Sequence, residues 1–146
     1  MCIRDSLYRW DEHKKENYSW WLKRLERTLK LCDIVRIDHF RGFSALYEIP
    51  SSCPTAEVGE WVTAPGREIL KAAKEKFGDI PIIAEDLGVI TEDVEQIRDD
   101  FNLPGMRILQ FAFGNDDQSN SFHPKNYIQN CVAYTGTHDN LSLIHI

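Results

Sequence analysis

No stretch of the 146-residue chain approaches the roughly 20 continuous apolar residues that a membrane span needs. A basic tract is missing too: 23 Asp and Glu outnumber 17 Lys and Arg, for a formal charge of -6. That balance excludes a general nucleic-acid surface. Low-complexity segments are absent, since Trp, Phe, Tyr, Ile and Leu are spread throughout, so a disordered chain is excluded. Cysteine is scarce. Cys2, Cys32, Cys53 and Cys131 form no C-x-x-C pair and match no common zinc spacing, so they are expected as reduced thiols. No charged segment leads into an apolar one at the start, so no secretory signal is visible and the expected compartment is the cytoplasm. What is present is 42% apolar and 11% aromatic residues, enough to build the core of one domain or of a piece of one.

The apolar residues alternate between two patterns. Tyr18, Trp21, Leu22, Leu25 and Leu29 form one stripe at helical spacing, which predicts a helix over 11–31. The short run Ile34-Val35-Arg36-Ile37 then reads as a buried strand and ends in the loop Asp38-His39-Phe40-Arg41-Gly42. Pro65 suits the first turn of a second helix with the stripe Ile69, Leu70, Ala73 and Phe77, stopped by Gly78. Ile80 to Ala84 is again a strand, followed by Glu85-Asp86-Leu87-Gly88. Thr91 is placed to cap a third helix with Val94, Ile97 and Phe101 on its buried side. Met106 to Phe113 and Cys131 to Thr135 predict two more strands, and the polar stretch from Gly114 to Asn130 predicts a loop.

Short buried strands alternating with amphipathic helices define an α/β protein with a parallel sheet, either doubly wound or a barrel. Polar, ionisable residues follow the C-terminal ends of three strands, where barrel enzymes assemble their sites, and this favours a (β/α)8 barrel. A complete barrel takes ~250 residues, so about half of one is expected here.

Three carboxylates stand at those strand ends: Asp38, Glu85 and Asp139. The first interval holds one βαβ unit with a generous loop, and the second has room for two. Arg36, two residues before Asp38, shares its face of the strand and favours the charged carboxylate. An ionised Asp near a second carboxyl suits glycoside chemistry, with one nucleophile and one acid/base. Solvated loop carboxylates would look the same by periodicity alone.

The strings themselves say more. Val35-Arg36-Ile37-Asp38-His39-Phe40-Arg41-Gly42-Phe43, Ile82-Ile83-Ala84-Glu85-Asp86-Leu87-Gly88-Val89-Ile90-Thr91 and Tyr134-Thr135-Gly136-Thr137-His138-Asp139-Asn140 resemble the signature blocks of the 4-α-glucanotransferases, or amylomaltases, of glycoside hydrolase family 77. Leu7-Tyr8-Arg9-Trp10, Pro104-Gly105-Met106 and Leu109-Gln110-Phe111-Ala112-Phe113 resemble further stretches in the same order.

The resemblance implies the central part of a (β/α)8 barrel, about strands 4 to 7, over residues 7–140. It implies Asp38 as nucleophile, Glu85 as acid/base and Asp139 as transition-state stabiliser. Arg36 would orient the nucleophile, His138 would bond sugar hydroxyls, and Asp86 would bind substrate or support its neighbour. Trp10, Tyr47, Trp61 and Phe111 would either face sugar rings or pack in the core. Substrates would be α-1,4-glucans and maltooligosaccharides, with neither nucleic acid nor membrane as partner. No cofactor is implied. His39, His138, Asp38 and Asp139 lack metal-ligand spacing, and the family needs no catalytic metal. His13, His123 and His145 are expected on the surface or in loops.

An α-amylase-type hydrolase and an inert or merely glucan-binding fragment are the alternatives. Residues 1–6 and 141–146 depart from the family and are expected to be non-native ends. The apolar faces of Ile34, Ile82, Ile108 and Val132 are expected to lack partners in a half-barrel.

Overall fold

A computed structural model of the chain describes residues 6–113 and 118–138. Asp139, Cys2, His145 and nearly all of both terminal hexapeptides lie outside the described residues.

The stripe expected as one helix is divided between α1 (Trp10–Lys15) and α2 (Ser19–Leu29). The break falls at Asn17 and Tyr18, with positive φ of 46° and 56°. Asparagine tolerates that conformation, whereas tyrosine adopts it at a cost. The ring of Tyr18 is buried regardless, in a core shared with Leu22 and Leu25 of α2 and Ile69, Ala72 and Ala73 of α3 (Gly66–Phe77). Its hydroxyl donates to Glu68 at 2.6 Å, so the kink joins α2 to α3 by a part-buried contact. Gly66 is required at the start of α3, because a Cβ there would run into the carbonyl and Cβ of Phe43.

Among the described residues six short strands follow in chain order: β1 (Val35–Ile37), β2 (Ala45–Glu48), β3 (Glu60–Thr63), β4 (Ile82–Ala84), β5 (Gly105–Ile108) and β6 (Cys131–Tyr134). β1 pairs with β4 in parallel, Val35 beside Ile82 and Ile37 beside Ala84, and β5 pairs with β6 in parallel. A backbone bond, Ala84 N–H to the Pro104 carbonyl at 2.9 Å, links β4 to the entry of β5. The parallel α/β character read from the sequence is present.

A second core lies between β4 and the helices α3 and α4 (Glu92–Asp100). It gathers Phe40, Leu70, Ile82, Ala84, Val94, Ile97 and Leu103. Burial of each large side chain there contributes ~1.5–3 kcal/mol.

Four further expectations need correction. β2 and β3 form an antiparallel hairpin between β1 and α3, where no strand was expected. Its alternation lasts only four residues per strand, too short to stand out from a loop. The strand expected over 106–113 stops at Ile108, and residues 109–113 wind into a 3-10 turn. Thr91 occupies the cap position of α4, but its side chain makes no capping bond and instead accepts from Arg41. Of the four residues expected to lack partners, Ile82 (2% exposed) and Ile108 (0%) are enclosed by this chain alone, whereas Ile34 is 57% exposed. Ile34 precedes the ladder, which begins at Val35.

Candidate functional site

The β1–β4 ladder continues beyond both strand ends. Glu85 N–H donates to the Ile37 carbonyl at 2.9 Å, and Phe40 N–H donates to the Glu85 carbonyl at 3.0 Å. The next step of the register therefore brings Asp38 and Glu85 together at the C-terminal rim of two neighbouring parallel strands.

Each oxygen of the Glu85 carboxyl takes one backbone donor. Oε2 accepts from His39 N–H at 2.6 Å and Oε1 from Leu87 N–H at 3.1 Å. His39 presents its N–H from a left-handed conformation, φ 51°. Burial pushes the Glu85 acid above the usual carboxylate range, and the charge of Asp38 adds to that, against the pull of the two N–H groups. A carboxyl held this way keeps its proton to higher pH, as a general acid requires.

Asp38 stands in a different setting. Its side chain is 72% exposed, and Oδ1 meets Arg36 Nη2 at 3.3 Å, the same-face contact expected from their spacing. A cavity of about 300 Å³ opens beside Asp38 and His39, walled by Tyr8, Trp10, Trp21 and Phe43. Trp10 stacks on Tyr8 with ring centroids 4.7 Å apart. The sequence-selected Trp10 and Asp38 thus share one hollow.

Asp86 points elsewhere. Its carboxylate is buried against Arg98, Arg107 and the backbone of Met106, on the side of α4 and β5. His138 is exposed, a short turn beyond β6, and Asp139 lies outside the described residues. The β5–β6 edge closes with Gln110 N–H donating to the Thr135 carbonyl at 3.2 Å.

Among the other aromatics, Tyr47 and Trp61 pair across the hairpin with centroids 5.4 Å apart, and Arg41 lies 4.5 Å over the Trp61 ring. Phe111 packs edge-on to Phe122. His13, partly exposed, packs among Tyr8, Trp10 and Trp20, and His123 accepts from Lys125 N–H in a turn. Cys32, Cys53 and Cys131 are free thiols. Among the described residues no three His, Cys, Asp or Glu side chains gather as metal ligands, and no helix is long and apolar enough to cross a membrane.

Reasoning from side-chain types missed the N–H groups of His39 and Leu87, because main-chain donors leave no trace in a motif. It also missed Arg98 and Arg107, which look like ordinary surface charges in the sequence.

Ionisable groups gathered at the carboxyl ends of adjacent parallel strands place the chain among the α/β proteins that build their sites on that rim. The chain belongs to glycoside hydrolase family 77: the family's sequence model, described as 4-alpha-glucanotransferase, matches residues 5–145. It is 57% identical over 136 residues to a 4-alpha-glucanotransferase of Thermus thermophilus, covering 92% of this chain and 27% of that protein. A chloroplastic/amyloplastic 4-alpha-glucanotransferase of Solanum tuberosum is 50% identical over 134 residues, covering 92% and 23%. Among solved structures, an amylomaltase from Streptococcus agalactiae in complex with acarbose superposes with a TM-score of 0.88 at 45% identity, covering 92% of this chain and 27% of that one. The chain spans about a quarter of the length of these relatives.

Proposed function

We propose that residues 7–140 supply about strands 4 to 7 of a (β/α)8 barrel, and that the enzyme containing them is a cytoplasmic 4-α-glucanotransferase acting on maltooligosaccharides. The observation that carries this reading is the Glu85 carboxyl, half-buried, raised in pKa and held by two N–H groups beside an exposed, Arg-paired Asp38. Family membership and the relatives' names support the substrate class.

In this reading Asp38 attacks the anomeric carbon while Glu85 gives its proton to the departing glycosidic oxygen. The bond to the leaving sugar breaks as the glycosyl-enzyme ester forms. The shortened glucan departs, and a sugar 4-hydroxyl enters. Glu85, now ionised, takes the hydroxyl proton as that oxygen displaces Asp38. Two inversions leave the configuration retained. Arg36 orients Asp38, His138 bonds the sugar, Asp139 stabilises the transition state, and Trp10 forms part of the wall.

Maltotriose distinguishes this from hydrolysis. A full-length family enzyme carrying this segment is expected to give glucose and longer maltodextrins with nearly constant reducing ends. A steady rise in reducing ends would instead identify water as the acceptor.

A further inference from the structure

On the helix side of β4, directly behind Glu85, sits a buried ion cluster for which the proposed reaction has no use. Asp86 Oδ2 meets Arg98 Nη1 at 2.7 Å and Arg107 Nη1 at 3.5 Å, and Oδ1 accepts from Met106 N–H at 2.7 Å. The side chains of Asp86, Arg98 and Arg107 are only 3%, 7% and 9% exposed. Arg107 also donates to the Met106 carbonyl at 2.7 Å. Gly105 completes the seat, since a Cβ there would run into the Asp86 carboxylate.

The cluster ties three elements together at one carboxylate: the end of β4, the start of β5 and the last turn of α4. Adjacent side chains of an extended segment point to opposite faces, so Glu85 can face the rim only while Asp86 faces this seat. A buried ion pair adds little net stability over a well-packed apolar substitute. What it adds here is direction, because charge-assisted bonds hold a carboxylate in one orientation.

We infer that Asp86, with Arg98 and Arg107 as its counter-charges, is a positioning residue that sets the aim of Glu85 by clamping the backbone immediately after it. The inference rests on the reading of Glu85 as acid/base. A displacement of about 1 Å at a reacting group costs about 10²-fold in rate, so loosening the clamp should register in catalysis.

The test uses a full-length family enzyme carrying this segment and two donors, maltotriose and α-glucosyl fluoride. Fluoride departs without a proton, so its first-turnover release is insensitive to where the acid stands. Asp86→Asn keeps the shape and the acceptor for Met106 N–H but removes the charge. It is expected to lower kcat on maltotriose about 10²-fold, with KM nearly unchanged and first-turnover fluoride release nearly intact. Arg98→Lys keeps the positive charge but not the fork, and should show the same pattern at smaller amplitude. It serves as the readout should Asp86→Asn fail to fold. Equal losses from both donors, or no loss from either, would overturn the inference. Glu85→Gln run in parallel separates the two claims. If it too spares fluoride release, the acid/base reading stands whatever Asp86 does. If it does not, that reading fails and the inference falls with it.

Discussion

Glu85 and Asp86 are consecutive carboxylates in opposite surroundings. Glu85 sits at an open rim, held by neutral N–H donors beside another carboxylate, and burial raises its pKa. Asp86 sits beneath, shut between two guanidiniums. In the proposed reaction a proton leaves and returns at the rim. The layer beneath is arranged so that nothing moves. One reading follows for the ion pairs as well: Arg36–Asp38 at the rim is open to solvent, while Arg98–Asp86 is sealed. Equivalent chemistry in the two places should therefore fail in different ways when cut.

The sharpest break in that comparison comes at the rim. Asp38→Asn replaces the proposed nucleophile with an amide, and transfer should fall by at least ~10³-fold. Its unfolding midpoint should barely change, because the side chain is exposed and its partner Arg36 stays solvated. A glycosyl-enzyme trapped at normal levels in this variant, by mass spectrometry, would remove Asp38 from the role assigned here.

The layer beneath should behave in the reverse manner. Asp86→Ala strands Arg107 without its anion, leaves Arg98 with Asp99 alone as its carboxylate partner at 2.8 Å, and leaves the Met106 N–H unpaired. Breaking a buried pair from one side costs ~3–5 kcal/mol, which a denaturant melt of the full-length enzyme carrying this segment would record. A loss no larger than that of a surface substitution would show that water reaches the cluster.

Much of this division was legible in the sequence. The stripes Leu22–Leu25 and Ile69–Leu70–Ala73, the strand runs around Val35 and Ile82, and the placement of Asp38 and Glu85 at strand ends all follow from periodicity. Two kinds of feature were hidden. Backbone geometry was one: the left-handed residues Tyr18 and His39 have no compositional signature, and they break a helix and supply a donor to Glu85. Long-range charge pairing was the other. Arg98 stands one residue after the buried Ile97 and reads as a solvated helix end, until the fold brings β5 and Asp86 against it.

The smallest expected effect concerns a second buried acid that does no chemistry. Burial raises the Tyr18 hydroxyl to about 12, and its bond to Glu68 adds to the shift. The direction fixes the sign. A pKa raised in the folded state means that the fold holds the proton more tightly than the unfolded chain does. The stability it contributes is complete below pH 10, the ordinary tyrosine value, and is lost as pH rises toward about 12. Tyr18→Phe removes the hydroxyl and leaves Glu68 with Lys14 as its partner at 3.0 Å, so the loss at neutral pH should be only ~1 kcal/mol. The difference ultraviolet titration between the two proteins should then contain one phenolate transition at about 12, and the stability advantage of the tyrosine should shrink and then reverse across the same interval. A transition near pH 10 would mean that Tyr18 is solvated, and that the kink between α1 and α2 does not seal the core as described.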